Sequence, residues 1–349
     1  MERTNVILVL LGIVVVFVVG VILQELRTVL LPFSVAVLLS FIFRPIVAFL
    51  KARRVPTALA LIAVLLSLAL VLFLTGLLVY SSAQSFADAL PRYQAQVNRI
   101  GTDAEALVAR LAVPLGIEVQ EVDLRDLFQV GTVAAAVSTG IGSFLNFVGN
   151  VFLVILFMLF MLAGSGELGP KVERAFPAAY AERIASVIHN ISAQTRQYLV
   201  TKTLISAGTG ALVSLVLWIL GVDFPLLWGF LAFLLNFIPN IGSLVAVVFP
   251  VLLSLLQFDT LTRPLLALIL LVSIQMVMGN VVEPRLMAFS LNLSPLLVLV
   301  SLIFWGWLWG ITGMVLAVPL TATVKIFFEN VEPLRPMAVL MGGPITPER

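Results

Sequence analysis

A short polar segment lies between two stretches of sequence that are apolar enough for a lipid core. This segment, Gln275–Arg285, holds an amide at Asn280, an acid at Glu283 and a helix-breaking residue at Pro284. Polar groups at membrane depth are costly unless they line a protein cavity or a water path. The pattern therefore predicts a protein that moves something through the membrane.

The amino-acid composition is that of a membrane protein with several spans. Hydrophobic residues make up 61% of the 349-residue chain and charged residues 11%, whereas about a quarter of a soluble globular protein is charged. The chain has no cysteine and one histidine, His189, which excludes disulfides and a multi-histidine metal site within one chain. Neither a P-loop nor an H-E-x-x-H motif occurs. We therefore expect no enzyme, no cofactor, no metal and, with a net charge of only +2, no nucleic-acid partner.

The apolar segments predict an all-α polytopic membrane protein with about six to eight membrane segments, because a crossing helix needs about 20 apolar residues. The candidates are Val6–Leu23, Val29–Leu50, Thr57–Tyr80, Phe144–Ala163, Leu204–Leu220, Phe224–Leu256, Leu265–Val282 and Pro295–Phe328. Arg44-Pro45 is expected to interrupt the second. The first has no small-x-small cleavage site and a second apolar run follows it at once, which indicates a span and not a signal peptide.

Basic residues near the span ends predict the orientation. Lys51, Arg53 and Arg54 form a short basic loop, which favours the cytoplasm and places both termini inside. Residues 81–143 then lie outside with a net charge of −3, and residues 164–202 lie inside with a net charge of +2. Both signs agree with this orientation.

The chain is predicted to have three parts: three transmembrane helices in residues 1–80, an extracytoplasmic helical insert in residues 81–143, and a transport core in residues 144–349. Apolar residues of the insert recur at heptad spacing, which indicates a helix with one packing seam. They are Phe86, Leu90, Tyr93, Val97, Ile100, Ala104, Leu107 and Leu111. Pro114–Gly116 ends this helix and Asp123 caps a second one. The seam either packs the insert on itself or contacts neighbouring subunits.

Residues 181–202 are predicted to form an amphipathic cytoplasmic helix that lies along the membrane. Its apolar face carries Ile184, Val187, Ile188, Ile191, Thr195, Tyr198 and Leu199. Arg183, Arg196 and Lys202 lie off that face and can reach lipid phosphates or form salt bridges. We interpret His189 as a solvated surface residue.

Two apolar runs are too long for single straight spans. Residues 224–256 would form a helix of about 50 Å against a lipid core of about 30 Å, and residues 295–328 are similarly long. The first run is interrupted at its centre by Pro239 and Gly242 and the second by Gly306, Gly310 and Gly313. Each run is either a re-entrant helical hairpin or one long kinked span. We favour hairpins, because paired broken segments are the best sequence indication of a transporter site.

The C-terminal half of the chain carries a specific set of motifs. They are Arg196-Gln-Tyr198, Lys202, Gly221-Val-Asp-Phe-Pro225-Leu-Leu-Trp228-Gly229, Asn236-Phe-Ile-Pro239-Asn240-Ile-Gly242, Pro250, Asn280-Val-Val-Glu283-Pro284, Pro295, Gly306, Gly310, Gly313 and Ala317-Val-Pro319-Leu320. Together these motifs resemble the autoinducer-2 exporter (AI-2E) family of bacterial membrane proteins. The resemblance implies a multi-pass transporter of the bacterial inner membrane that exports the furanone signal autoinducer-2 or a related small polar solute. It also implies a homo-oligomer, such as a pentamer, and it leaves sodium/proton antiport open, because some relatives are described so.

The candidate solute- or ion-binding residues are the polar side chains at the predicted helix breaks and in the polar segment. They are Glu283, Arg285, Asn280, Asn236, Asn240 and Gln275, with helix breaks at Pro239, Gly242, Pro284, Gly306, Gly310 and Gly313. Glu283 either carries a proton or cation, or pairs with Arg285, or caps a helix. Pro284 is expected to discourage α geometry at Glu283. Arg285 either recognises a hydroxyl-rich or anionic solute or snorkels to the membrane surface.

The leading functional hypothesis is a secondary transporter or facilitator with membrane lipid and a small polar solute as partners. Two alternatives remain open. One is a sodium(cation)/proton antiporter that uses Glu283. The other is a non-transporting membrane scaffold that assembles partners through residues 81–143.

Overall fold

The computed structural model describes residues 11, 14, 18–112, 151–164, 168–287 and 293–343, and in these ranges the protein is almost entirely helical. The one strand-like pairing there is a single antiparallel bridge between Leu293 and Gly342. Within the described ranges, five helices are long and apolar enough to cross a membrane, and three shorter apolar helices accompany them. The prediction of an all-α polytopic membrane protein is confirmed.

The helices are numbered in chain order. They are α1 (Arg27–Ala52), α2 (Thr57–Ala112), α3 (Val151–Gly164), α4 (Leu168–Ala175), α5 (Ala178–Leu220), α6 (Pro225–Leu235), α7 (Ile241–Gln257), α8 (Thr262–Val277), α9 (Glu283–Leu286), α10 (Pro295–Asn330) and α11 (Arg335–Met341). Residues 18–25 are helical before α1. A π-helical turn, Met278–Val282, joins α8 to α9, and a 3-10 turn, Glu332–Leu334, joins α10 to α11.

Helix α1 is continuous through Pro32 and Pro45, so the predicted interruption at Arg44-Pro45 is wrong. Ala36 and Val47 lie on either side of that point and are buried in one core cluster with residues of α2 and α3. Packing before and after Pro45 keeps α1 continuous. The proline removes one backbone hydrogen-bond donor, which membrane helices tolerate.

Helix α2 has 56 residues and a length of about 84 Å. It continues without a break past Tyr80, where the apolar span was expected to end, and through Pro91. Tyr93 and Val97 of the predicted seam are buried. The predicted break at Pro114–Gly116, the cap at Asp123 and the insert's far boundary lie outside the described residues.

Helix α5 has 43 residues and joins two segments that the sequence divided, the amphipathic residues 181–202 and the span 204–220. No glycine or proline lies between residues 178 and 207, so nothing in the backbone ends a helix there. Gly221 ends α5 with a φ of +71°, a left-handed cap that glycine adopts without strain. His189 is exposed, as expected. The position of residues 181–202 along the membrane surface stays a prediction.

Residues 225–257 fold back on themselves and are called hairpin 1. Its arms, α6 and α7, have 11 and 17 residues, about 17 and 26 Å, so neither arm reaches across a lipid core of about 30 Å. The turn at 236–240 places Asn240 at a φ of +61°. A Cβ on Gly242 would lie 1.8 Å from the Leu235 carbonyl oxygen, so only glycine allows the arms to approach this closely.

Helix α10, residues 295–330, also folds back and is called hairpin 2. Its backbone reverses at Trp309 and Gly310, and the φ of Gly310 is +65°. Trp305 Nε1 donates to Thr321 Oγ1 at 3.2 Å, and Thr321 Oγ1 donates to Ser301 Oγ at 2.9 Å, which joins the two arms. The expectation of broken, folded-back segments is confirmed for both runs, and the alternative of single kinked spans is wrong. That the hairpins re-enter the bilayer stays a prediction.

The tip of hairpin 1 packs against both arms of hairpin 2. Ile238, in the turn of hairpin 1, is buried in one cluster with Leu302 and Ala317 of hairpin 2. A neighbouring cluster packs Trp309, at the tip of hairpin 2, with Leu199 of α5. Both tips therefore lie beside α5, and this arrangement positions the polar residues described next.

Candidate functional site

One face of α5 carries polar side chains in the protein interior. Thr195, Lys202, Ser206 and Thr209 are spaced by seven, four and three residues, so they lie along the same face of the helix. All four are buried, and Ser206 and Thr209 have no exposed surface. A buried lysine needs a partner that compensates its charge, and the neighbouring segments supply one.

Lys202 forms a buried ion pair with Glu283 of α9. The Lys202 Nζ to Glu283 Oε1 distance is 2.6 Å, and the side chains are 5% and 26% exposed. Removing one partner from a fully buried pair costs about 3–5 kcal/mol, and the partial exposure of Glu283 lowers that figure here. The pair joins segments 81 residues apart in sequence.

The π-helical turn Met278–Val282 places Glu283 in this position. Glu283 has α geometry, with φ −58° and ψ −50°, so the expectation that Pro284 discourages it is wrong. Pro284 has no N–H to donate, and the wider turn just before it relieves the clash of its ring with the preceding carbonyl. Such π-helical turns occur frequently at functional sites.

Asn236 links the tip of hairpin 1 to the same face of α5. Its side-chain nitrogen Nδ2 donates to Ser206 Oγ at 2.9 Å. Ser206 lies one helical turn beyond Lys202, so an ammonium, a carboxylate, an amide and a hydroxyl are gathered within about two turns of α5. We call Lys202, Glu283, Asn236 and Ser206 the polar cluster. Together they donate and accept several hydrogen bonds, which suits a small polar solute.

The other predicted binding residues lie outside this cluster. Asn280 and Arg285 are exposed, and Gln275 is half-buried on α8. The partner of Glu283 is Lys202 and not Arg285, which settles one alternative. Asn240 is exposed at the start of α7, where its backbone carbonyl accepts from Ser243 Oγ at 2.9 Å. Asn240 therefore shapes the turn.

The predicted helix breaks have separate roles. Pro239 lies half-buried in the turn of hairpin 1, and Pro284 lies in the first turn of α9. Gly313 allows a close approach, because a Cβ there would lie 1.9 Å from the Trp305 carbonyl oxygen. A Cβ added at Gly306 would lie 3.0 Å from the nearest atoms of the Met314 side chain.

Of the two alternatives for Lys202, lipid headgroups or a salt bridge, the structure shows the salt bridge, but the sequence did not identify its partner or its burial. The sequence did hold an indication of this burial. Lys202, Ser206 and Thr209 are spaced so that they share one polar face, and this face continues into the apolar half of α5. Thr195 extends that face by two turns, and its buried hydroxyl has no hydrogen-bond partner within the described part of the chain. Buried polar groups are normally paired, so Thr195 offers a further contact for a bound solute.

A second set of polar residues lies at the open end of hairpin 1, opposite its tip. Tyr93 of α2 donates its hydroxyl to Asp223 Oδ2 at 2.7 Å. Gln257 Nε2 donates to Asp223 Oδ1 at 3.0 Å, and Arg92 Nη2 donates to the Gln257 carbonyl at 3.0 Å. These residues, which we call the base clamp, join both ends of hairpin 1 to α2. The clamp shows that the start of the predicted seam contacts hairpin 1.

Comparison with known proteins gives a consistent result. The model of the AI-2E family of transporters matches residues 11–332. The chain is 35% identical to the "AI-2 transport protein TqsA" of Escherichia coli over 96% of this chain and 95% of that protein. It is 32% identical to a "Putative transport protein" of Haemophilus influenzae over 95% of each chain. It is also 32% identical to one of Borreliella burgdorferi over 89% of this chain and 84% of that protein.

Proposed function

This chain belongs to the AI-2E family of transporters, and from that membership we propose that it carries a small polar solute through the polar cluster between α5, α9 and the tip of hairpin 1. The family and the candidate spans make it a multi-pass membrane transport protein. The observation that supports this route is the buried Lys202–Glu283 pair, because a charged pair inside a membrane protein usually marks a solute or ion path.

The proposed cargo is autoinducer-2 or a similar small polar solute, exported across the bacterial inner membrane with both termini in the cytoplasm. One relative is named as an AI-2 transport protein, which supports this cargo class. The polar cluster adds chemical support. Lys202 and Asn236 donate hydrogen bonds while Glu283 accepts them, and a hydroxyl-rich solute both donates and accepts.

The proposed mechanism is competition between the solute and the ion pair. Solute hydroxyls that bond to Lys202 and Glu283 replace contacts that hold α9 against α5. The bond from Asn236 to Ser206 holds the tip of hairpin 1 in the same way. A ligand shifts a conformational equilibrium by its differential affinity for the two states. Solute binding thus releases α9 and the tip together, which opens the site to the other side.

Sodium/proton antiport is the competing function, because Glu283 is a carboxylate that reaches the interior. The Lys202 ammonium lies 2.6 Å from that carboxylate, where an exchanged cation would bind. Among the described residues, no group of three or more His, Asp or Glu side chains could hold a metal ion. We therefore place solute transport first.

The test is flux in liposomes that contain the purified full chain. We expect Glu283→Gln and Lys202→Met each to lower autoinducer-2 flux roughly tenfold, because each leaves one buried group uncompensated. Glu329→Gln is the matched control, since Lys325–Glu329 is a second ion pair at 2.8 Å on hairpin 2. Flux and pH dependence of Glu283→Gln equal to the parent would refute the role of the pair.

Two further outcomes separate the alternatives. A sodium-dependent collapse of a proton gradient, with no autoinducer-2 flux, would favour antiport. Absence of any flux, together with solute-independent capture of partners by the full chain, would favour a scaffold. The homo-oligomer implied by the family is also part of the proposal, and the mass of the detergent-solubilised complex tests it.

A further inference from the structure

A cavity of about 320 Å³ lies between α1, α3, α4 and α5, about 15 Å along α5 from the polar cluster. Four polar side chains line it: Ser40 and Arg44 of α1, and His189 and Ser192 of α5. The remaining wall is apolar and includes Phe41, Met161, Leu162 and Ile188. The cavity therefore has one charged, hydrogen-bonding side and one apolar side.

The polar side of the cavity suits a phosphate group. Arg44 presents a guanidinium with five donors in a planar fork, which matches phosphate oxygens and can serve more than one acceptor. His189 and Ser192 add donors from the facing helix. None of the lining residues that the structure describes is acidic, so none of these repels an anion.

The surroundings of the cavity are also basic. Residues 44–54, which run from the cavity to the loop after α1, hold four basic and no acidic side chains. Helix α4, which lines the cavity through Val172, carries two basic residues, Lys171 and Arg174, and one acid, Glu173. Basic pockets between membrane helices are a known type of site for anionic lipid headgroups.

We propose that this cavity binds the phosphate of an anionic lipid, with Arg44, His189 and Ser192 on the phosphate and an acyl chain along the apolar wall. The site is separate from the proposed solute route. Such a lipid would add to the contact between α1 and α5, which already share a core cluster through Leu38 and Leu199. It would therefore stabilise the contact between the N-terminal helices and the transport core.

The experiment measures thermal unfolding of the delipidated full chain in detergent, titrated with dioleoyl phosphatidylglycerol, dioleoyl phosphatidylcholine or inorganic phosphate. We expect phosphatidylglycerol to raise the unfolding temperature more than phosphatidylcholine does. A matching rise with inorganic phosphate alone would identify a free anion as the ligand of the same phosphate site. Equal responses to both lipids, without a phosphate response, would overturn the proposal.

Variants then test the position of the site. Arg44→Gln should weaken the phosphatidylglycerol response roughly fivefold, which is the effect of one basic residue near an anionic lipid. Ser192→Phe keeps the charges, fills the cavity and should remove the response. Arg196→Gln is the matched control, because Arg196 is exposed on the same helix and does not line the cavity.

Native mass spectrometry of the same variants covers the case in which a substitution lowers stability by itself. Lipid adducts should be depleted for Arg44→Gln and Ser192→Phe and kept for Arg196→Gln. Adducts equal to those of the parent in both cavity variants would place the lipid elsewhere and refute the site.

Discussion

Hairpins 1 and 2 look alike in sequence but are held together differently. The base of hairpin 1 is held from outside by α2, through Tyr93 and its bond to Asp223. Hairpin 2 is held from inside, because Thr321 bonds to Ser301 and Trp305 across its own arms. Hydrogen bonds to a neighbouring helix fix the position of a hairpin, whereas hydrogen bonds between its own arms fix its shape. Hairpin 1 is thus bonded to a neighbouring helix at its base, whereas hairpin 2 keeps its shape through its own bonds and meets its neighbours at its tip, where Trp309 packs with Leu199 and donates to the Leu23 carbonyl at 3.4 Å.

This difference revises the proposed mechanism for transport. With the base of hairpin 1 fixed, the movable part of that hairpin is its tip, where Asn236 contacts Ser206. Hairpin 2 has its base next to α11, where the Ser294 N–H donates to the Met341 carbonyl at 3.0 Å. We therefore expect access to alternate by movement of hairpin 2 and of the tip of hairpin 1.

The largest effects are expected where a glycine allows two backbones to touch. Gly242→Ala and Gly313→Ala place a Cβ within 2 Å of a carbonyl oxygen in hairpin 1 and hairpin 2 respectively. We expect each to destabilise the protein by about 3 kcal/mol or more, measured by thermal unfolding in detergent. Gly164→Ala is the control, since nothing lies within 4 Å of its Cβ position. An alanine tolerated at either site would mean that the arms of that hairpin do not pack as described.

An intermediate effect is expected from the base clamp. Tyr93→Phe removes one hydrogen bond to the carboxylate of Asp223, which is worth about 1.5–3 kcal/mol. Hydrogen exchange should increase in residues 221–257 and not in hairpin 2. Tyr80→Phe is the control on the same helix, because the Tyr80 hydroxyl is exposed and accepts from Gln84. Faster exchange in both hairpins would show that the clamp is not specific to hairpin 1.

An effect no larger than that of the clamp is expected from the internal bonds of hairpin 2. Thr321→Val keeps the side-chain shape and removes the bonds to Ser301 and Trp305, at about 1 kcal/mol for each neutral bond. Hydrogen exchange should increase within residues 295–330 and stay unchanged in residues 221–257. Thr323→Val is the control, since its hydroxyl bonds only to the Pro319 carbonyl on the same arm. A change confined to hairpin 1 would contradict the comparison.

The sequence predicted the hairpins because their causes are local. A run of more than 30 apolar residues with Pro239 and Gly242, or with Gly310, at its centre cannot form one straight span of ordinary length. Glu283 was selected as a candidate site residue for a similar reason, since an acid in an apolar context is rare and costly, and its role in transport stays a prediction. These signals depend on residues that are close together in the chain.

The sequence did not predict two kinds of feature: burial that depends on a residue far away in the chain, and the true ends of the long helices. The burial of Lys202 is decided by Glu283, which is 81 residues away and invisible to an amphipathic pattern in one helix. The ends of the spans at Tyr80 and near residue 203 were inferred from a fall in hydropathy. Lower hydropathy does not end a helix, and without glycine or proline there the backbone of α2 and of α5 continues.

The wide turn Met278–Val282 amounts to one extra residue inserted into a helix. If this insertion relaxed to ordinary α-helical winding, every following residue would rotate by about 100° around the axis. The Glu283 carboxylate would then swing away from the Lys202 ammonium without unfolding either helix. A change in winding of a single turn is therefore sufficient to connect or disconnect the two charges.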